Sequence, residues 1–214
     1  MRLLELFAGT GSVGKVARQF GIEVVSLDRD MPADIRTDIM DWDYRTYSPK
    51  HFDMIWASPP CTEYSRAKTI GERDIEGSNQ VVQRTLDIIA YLDPQWWILE
   101  NPQTGLLKQQ PMMQDLPYVD VDYCKYGMPY RKRTRLWNNI DIWNPRPLCM
   151  RDCDSMTENG QRHKETAQRG PSKVKSEEGE RVLDNNQHSR EQLYVVPPSL
   201  ISDIIVSIVN HLRP

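Results

Sequence analysis

An apolar run that ends in two prolines constrains the fold of this chain more than any other feature. Residues 52–57 read Phe-Asp-Met-Ile-Trp-Ala and are typical of a strand buried in a parallel sheet. Pro59 and Pro60 then prevent the strand from continuing. We therefore expect Cys61, the next residue, at the carboxyl end of a strand. Ligands of open α/β sheets bind at that edge, and a thiolate there is a strong nucleophile. A lone cysteine is more often apolar filler, so Cys61 needs supporting residues.

A glycine-rich turn near the amino terminus supports a nucleotide-type cofactor. Residues 2–8 predict a strand, and Gly9, Gly11 and Gly14 open a predicted helix with G-x-G-x-x-G spacing. That spacing suits NAD, FAD, S-adenosylmethionine or an ordinary tight turn. Residues 23–27 predict a second strand, which ends at Asp28. A carboxylate at that point can accept hydrogen bonds from two ribose hydroxyls, which favours a nucleoside cofactor.

Two further strands are predicted to end in polar groups at the same edge. Residues 35–39 form a short predicted strand that includes Asp38, and residues 96–99 form a buried one that delivers Glu100 beside Cys61. A carboxyl group in such apolar surroundings is a candidate proton donor. Between these strands we expect an exposed, mobile polar loop over residues 66–79 and a helix over residues 81–92.

A basic segment follows a predicted strand at residues 118–124. Residues 136–140 predict its antiparallel partner, so Arg131, Arg133 and Arg135 should face one way. Guanidinium groups bind phosphates and base edges, which makes this segment a candidate polynucleotide contact. The net charge of −3 provides no overall attraction to nucleic acid, so binding depends on such a local patch.

The region from residue 144 to residue 192 is polar throughout, and we expect a small loop-rich insertion there. Cys149, Cys153 and His163 have spacings that a zinc site can use, with Cys124 or His188 as a candidate fourth ligand. Residues 197–199 are expected to cap a final amphipathic helix. The predicted organisation is a catalytic and cofactor-binding domain at 1–143, the insertion at 144–192, and a segment at 193–214 that packs back on the domain.

Composition predicts a soluble intracellular protein that does not enter a membrane. No apolar run approaches the ~20 residues of a membrane span, and the first residues do not resemble a signal segment. The four cysteines favour chemistry or metal binding over disulfides in such a protein.

Taken in order, these motifs resemble those of the cytosine-C5 DNA methyltransferase family, particularly its small viral or phage-borne members. The resemblance covers roughly residues 1–142 and the segment from Leu193. It implies an α/β fold of the Rossmann-like S-adenosylmethionine-dependent methyltransferase type, with a mostly parallel sheet, helices on both faces, an antiparallel hairpin and the small loop-rich insertion. By this resemblance the cofactor contacts are Phe7, Ala8, Gly9, Thr10, Gly11, Asp28, Asp38, Ile39 and Pro59, and residues 196–200 complete their pocket.

The same resemblance implies the chemistry. Cys61 would add to C6 of a flipped-out cytosine in DNA while Glu100 protonates N3, and C5 would accept a methyl group from S-adenosylmethionine. Arg133 and Arg135 match the family's paired arginines, and we expect one of them to favour the Cys61 thiolate. Ser65, Arg131 and Lys132 would contact nucleic acid. Four features depart from the family pattern. They are Thr62, Pro102, the short region 144–192, and Arg131 or Tyr130 at the position where the family has a glutamine before the paired arginines.

Other functions remain compatible with parts of the pattern. Ser58-Pro59-Pro60 also fits methyltransferases that act on amino groups, although Cys61 stands where those enzymes place an aromatic residue. RNA could replace DNA as the substrate of the same C5 chemistry. A catalytically silent nucleic-acid-binding module would not need Cys61, Glu100 and Arg133 together. An NAD-dependent dehydrogenase would need a hydride-transfer constellation that the sequence lacks.

Overall fold

A seven-stranded mixed sheet forms the centre of the protein. The computed structural model describes residues 1–66, 68–167, 172–175, 181–184 and 188–213. In spatial order the strands are β3, β2, β1, β4, β5, β7 and β6; the first five are parallel, and β7 is antiparallel to both its neighbours. The predicted fold class, with its antiparallel hairpin, is confirmed. The strands are β1 (Arg2–Leu6), β2 (Glu23–Asp28), β3 (Ile35–Arg36), β4 (Met54–Ala57), β5 (Trp96–Pro102), β6 (Tyr118–Asp122) and β7 (Arg133–Asn138).

Helices cover both faces of the sheet because side chains alternate along its strands. In β4, Met54 and Trp56 pack toward α1 (Ser12–Gln19) and α4 (Pro198–Leu212), whereas Ile55 and Ala57 pack toward α2 (Ile75–Leu92). All four of these β4 side chains are buried. Such burial on both faces explains why the strand reads as a continuous apolar run, and it fixes the carboxyl end of β4 where the prolines follow.

The final helix is part of the core. Its residues Leu200, Ile201, Ile204, Ile205 and Ile208 are fully buried in one cluster with the apolar face of α1. The segment Glu191–Leu212 is long and apolar enough for a membrane span by length and mean hydropathy, contrary to our reading of the sequence. Its buried stripe is the pattern of a core helix in a globular domain. Ser199 does not cap this helix, since its hydroxyl donates to the carbonyl of Tyr126.

Several element boundaries differ from those expected from the sequence. Helix α2 begins at Ile75 because the Asp74 carboxylate accepts the N–H of Gly77, so the predicted loop at 66–79 is shorter. Strand β3 is limited to two residues, and β6 ends at Asp122, where a 3₁₀ turn over Tyr123–Tyr126 takes Cys124 out of the strand. Strand β7 begins earlier than predicted and includes Arg133 and Arg135.

The predicted insertion at 144–192 lies partly outside the described residues. Residues 144–167 contain no helix or strand, only turns and two isolated bridges. Further along, β8 (Ser172–Lys175) and β9 (Arg181–Asp184) pair in antiparallel fashion. The short helix α3 (Arg190–Tyr194) crosses the predicted boundary at residue 192. The division into three parts therefore stays a prediction.

Candidate active site

A cavity of about 670 Å³ opens at the carboxyl ends of the parallel strands. This volume falls within the range of about 300–1,000 Å³ usual for small-molecule sites, at the sheet edge where α/β proteins bind ligands. Most of the residues predicted to bind a cofactor or to react line it together. They are Phe7, Ala8, Gly9, Thr10, Asp28, Asp38, Ile39, Pro59, Cys61 and Glu100.

The glycine-rich turn after β1 forms one wall of the cavity. Phe7, Gly9 and Gly11 all have positive φ angles, of 58°, 53° and 66°. This conformation costs glycine little, whereas at Phe7 it is strained, and such strain persists where surrounding structure enforces it. The hydroxyl oxygen of Thr10 is buried without a hydrogen-bond partner among the described residues. A polar atom of this kind beside a cavity is suited to hydrogen-bond a bound ligand.

Two aspartates flank this turn as the sequence predicts. One oxygen of Asp28 accepts the N–H of Gly9 at 2.8 Å, and the other accepts the N–H groups of Asp30 and Met31. Asp28 therefore fixes the turn, and its Oδ2, which accepts only the Gly9 N–H, keeps a lone pair for a ribose hydroxyl. Asp38 is half-buried and pairs with Arg29 at 3.3 Å, so its contact with adenine stays a prediction.

Glu5 is a cavity residue that the sequence analysis missed. It lies within β1, only 3% exposed, and its two oxygens accept the N–H groups of Val13 and Gly14 at the start of α1. Burial raises the pKa of Glu5 to about 7, although these two hydrogen bonds oppose the shift. A lone acid in an otherwise apolar strand, Leu3-Leu4-Glu5-Leu6, was the available signal.

The raised pKa of Glu5 predicts a pH dependence of stability. The native state holds the Glu5 proton up to about pH 7, whereas the unfolded chain releases it near its ordinary value of 4.5. Stability from this group is therefore present below pH 4.5 and lost as the pH rises toward 7, by up to about 3 kcal/mol. Urea unfolding at pH 5 and pH 8 should show this loss in wild type and not in Glu5→Gln. Parallel pH profiles for the two proteins would contradict it.

The turn that carries Cys61 is held against the neighbouring strand. The Asn101 amide donates to the carbonyl of Pro59 at 3.0 Å, so the residue after Glu100 fixes the Pro-Pro-Cys backbone. The amide oxygen of Asn101 is buried without a hydrogen-bond partner within the described part of the chain. Cys61 itself is half-buried in the cavity wall. Ser65 lies in the following turn, where its N–H donates to the carbonyl of Thr62, and its predicted contact with DNA remains untested.

Glu100 is held in place by Tyr123, which lies in the 3₁₀ turn after β6. It is 7% exposed, and the Tyr123 hydroxyl donates to its Oε1 at 2.9 Å. Burial and the neighbouring Glu100 carboxylate raise the pKa of Tyr123 well above its ordinary value, so this hydroxyl remains a donor. The Lys132 ammonium lies 4.9 Å from the Tyr123 ring centroid and donates to the carbonyl of Leu193. Lys132 also lines the cavity.

The arginines of the basic segment are engaged with acids of β6 rather than directed into the cavity. Arg131 and Arg133 both bind Asp122, whose side chain is fully buried, and Arg135 binds Asp120 at 2.8 Å. Burial alone would raise the pKa of Asp122, but hydrogen bonds from Arg133 and the Cys149 N–H hold it below its usual value. Neither Arg133 nor Arg135 is among the described residues that line the cavity. Their predicted role beside the thiol is therefore not supported by their placement.

The remaining predicted residues belong to two groups, the segment around Val196 and the predicted zinc ligands. Val196 donates its N–H to the Ser12 hydroxyl and lines the cavity together with Ser189, Glu191 and Tyr194. The other residues of the predicted closing segment, 197–200, are not among the described residues that line it. The three residues predicted to bind zinc, Cys149, Cys153 and His163, come together outside the cavity, and Cys124 joins them.

Comparison with known proteins agrees with this geometry. The family model for C-5 cytosine-specific DNA methylase matches residues 1–112, a stretch that includes both Cys61 and Glu100. The chain is 34% identical to a probable DNA (cytosine-5)-methyltransferase of Frog virus 3, over 96% of this chain and 99% of the viral protein. It is 32% identical to the type II methyltransferase M.HgiGI of Herpetosiphon aurantiacus, over 51% of this chain and 96% of that protein.

A solved structure supports the fold. A protein described as a DNA modification methyltransferase encoded within an E. coli prophage superposes with a TM-score of 0.50 at 16% identity. The match covers 70% of this chain, which spans 52% of that protein's length. The family match and the viral relative carry the assignment, and the chain belongs to the family of C-5 cytosine-specific DNA methylases.

Proposed function

We propose that this protein is an S-adenosylmethionine-dependent DNA (cytosine-5)-methyltransferase in which Cys61 is the nucleophile and Glu100 is the proton donor. One observation carries the assignment of these roles. Cys61, Glu100 and the glycine-rich turn all line a single cavity at one sheet edge. A reaction that needs a nucleophile, an acid and a methyl donor around one base requires this juxtaposition.

The cavity residues fit S-adenosylmethionine. The strained turn from Phe7 to Gly11 brings backbone close to the cavity. The Thr10 hydroxyl has no hydrogen-bond partner among the described residues, and one oxygen of Asp28 keeps a lone pair for a ribose hydroxyl. When bound, S-adenosylmethionine supplies an electrophilic methyl group. The chain's own residues would orient it and exclude water, with Val196 and the segment before it closing the cavity.

Cysteine addition solves the central difficulty of the reaction, which is that cytosine C5 is a poor nucleophile. When the Cys61 thiolate forms a bond to C6 and Glu100 gives a proton to N3, electron density accumulates at C5. Once C5 carries its methyl group, transfer of the C5 proton to water and departure of the thiolate restore the ring. The proton on N3 returns to Glu100, so both side chains end the cycle as they began.

The DNA must present its cytosine outside the duplex, because stacking hides C6 from a thiol in the cavity wall. Flipping a base costs a few kcal/mol, which contacts to the base and to phosphates offset. The Asn101 amide oxygen and the Lys132 ammonium are cavity groups available to such contacts. Since DNA is found inside cells or virus-infected cells, we infer an intracellular site of action.

The proposal is tested by identifying the labelled product. Purified protein should transfer label from methyl-labelled S-adenosylmethionine to duplex DNA, and digestion should give labelled 5-methylcytosine as the nucleoside. Label in a methylated amino group would instead indicate an amino methyltransferase. Label in RNA alone would change the substrate, and transfer to neither nucleic acid would favour the silent binding module.

Lys132 and Arg133 are adjacent in sequence, but we expect methionine at position 132 to affect mainly DNA binding and methionine at position 133 to affect mainly stability. Lys132→Met should weaken DNA binding and lower the slope of log Kd against log salt by about 1. Its cost in stability should be smaller than that of Arg133→Met, because it removes only the hydrogen bond to Leu193 and the contact with the Tyr123 ring. Arg133→Met should leave the buried Asp122 with less compensation and cost about 3–5 kcal/mol of stability. Measuring both quantities for both variants checks this. A salt slope altered only by Arg133→Met would place the DNA contact at the arginine.

A further inference from the structure

We propose that Cys124, Cys149, Cys153 and His163 bind one Zn²⁺ ion in a structural site outside the catalytic cavity. One potential ligand atom from each residue lies within 4.8 Å of all the others. Cys124 and Cys149 are buried, and Cys153 and His163 are half-buried. Three of the chain's four cysteines thus converge on one point, while the fourth, Cys61, lines the cavity.

The spacing of these atoms suits a tetrahedral ion. With Zn–S bonds of about 2.3 Å and Zn–N bonds of about 2.05 Å, a tetrahedral site separates sulfur from nitrogen by roughly 3.6 Å and sulfur from sulfur by roughly 3.8 Å. The Cys149 sulfur lies 3.5 Å from Nε2 of His163, and the other pairs lie within the 4.8 Å limit. Small side-chain adjustments would therefore complete the coordination.

The ligands reach this point from separate parts of the chain. Cys124 lies in the 3₁₀ turn Tyr123–Tyr126 that follows β6. Cys149 is anchored by its own N–H, which donates to Asp122 at 3.0 Å. His163 is brought back toward the cysteines by a tight turn, in which Thr157 donates to the carbonyl of Arg162 and Met156 pairs with His163. Backbone contacts therefore hold the segments that carry these ligands close together.

The donor set indicates zinc and a structural role. Three thiolates and one imidazole are soft and intermediate donors, which favour zinc over magnesium or calcium. A catalytic zinc site leaves a position open for water, whereas four protein ligands close the tetrahedron. None of the four residues is among the described residues that line the cavity.

A metal at this point would replace a hydrophobic core that residues 144–167 lack. Few apolar side chains of that stretch are buried, and its backbone forms only turns and isolated bridges. The ion would join the stretch to the end of β6, directly beside Asp122 and beside Tyr123, the residue that donates to Glu100. Metal binding of this type contributes folding free energy outright.

Elemental analysis of the purified full-length chain tests the site. Protein expressed with ample zinc and purified under reducing conditions should carry about one zinc per chain. Cys153→Ser and His163→Ala should lose most of it, whereas Cys61→Ser, the matched cysteine control, should retain it. Absence of metal from the wild type, one equivalent of iron in place of zinc, or equal zinc in all four proteins would overturn the proposal.

A second measurement uses the wild type alone, in case the ligand variants do not fold. Zinc removed by a chelator should lower the thermal midpoint, and added zinc should restore it. Cobalt(II) added to the metal-free protein should give the strong visible absorption of a tetrahedral site together with thiolate-to-cobalt charge transfer. Weak octahedral cobalt bands, or a midpoint unaffected by chelator and zinc, would exclude this site.

Discussion

Replacing Cys61 with serine should abolish methyl transfer while leaving the fold and DNA binding intact. Serine keeps the size of the side chain, but a hydroxyl is a far weaker nucleophile than a thiol toward C6 of cytosine. We expect the rate to fall by roughly four orders of magnitude or more, which corresponds to about 5 kcal/mol of activation free energy. The measurement is single-turnover methylation of duplex DNA. The thermal midpoint should stay near that of the wild type, because Cys61 lies in the cavity wall rather than in a core cluster.

A covalent trap separates the nucleophile from a merely positioning cysteine. Fluorine at C5 cannot leave as the proton does, so DNA that contains 5-fluorocytosine should hold the bond between sulfur and C6. Wild-type protein with S-adenosylmethionine should then form a complex with this DNA that survives denaturing gel electrophoresis, and Cys61→Ser should form none. A wild-type rate in the serine variant, or a stable adduct without Cys61, would refute the assignment.

The end of β4 and the turn after β1 could be predicted because the local sequence determines them. Two prolines stop β4 before Cys61, and Gly9 and Gly11 provide the left-handed conformation that the first turn requires. Parallel strands place their carboxyl ends at one edge, which is why the sequence predicts Cys61 and Glu100 at the same edge, and both line one cavity there. This part of the site therefore follows from periodicity and turn residues alone.

The partners of the arginines could not be predicted in the same way. Asp120 and Asp122 alternate along β6 as Arg133 and Arg135 alternate along β7, but the pairing depends on the register of the hairpin. A two-residue hairpin turn has a sequence signature that fixes the register of its strands. The connection from Tyr123 to Lys132 is longer and contains a 3₁₀ turn, so the sequence does not show which residues of β6 and β7 pair. As a result, the sequence suggested a free basic patch where the structure has compensated ion pairs.

Contacts between distant segments account for the other omissions. Glu5 acquires its role only when the start of α1 folds over β1, and Cys124 joins Cys149 only when residues 144–167 pack on the end of β6. The polar sequence after Cys61, with Lys68 and Arg73, predicts an exposed, mobile loop. In the structure, Arg73 donates to the carbonyls of Glu63, Ser65 and Lys68 and ties that loop together.

Changing Glu100 to glutamine should slow methylation by roughly 10²–10⁴-fold, the usual contribution of a positioned general acid. Glutamine preserves the shape and can still accept a hydrogen bond from Tyr123, whose hydroxyl lies 2.9 Å from Oε1. It cannot give a proton to N3, so electron density would not accumulate at C5 after cysteine addition. Because the loss concerns the reacting base alone, Kd for duplex DNA should change by less than about threefold, within 1 kcal/mol.

Tyr123→Phe should have a smaller effect on the rate than Glu100→Gln, because it keeps the acid and removes only the hydroxyl that orients it. The loss of one hydrogen bond to a buried carboxyl group should cost about 1.5–3 kcal/mol, or roughly 10- to 100-fold in rate at most, which is less than Glu100→Gln. The two changes combined should be no more damaging than Glu100→Gln alone, because Tyr123 acts through Glu100. Rate constants from single-turnover assays and binding titrations of all three variants check this order. Additive losses would mean that Tyr123 acts independently of Glu100. A large fall in DNA affinity for Glu100→Gln would mean that Glu100 is a structural acid and that N3 receives its proton from another group.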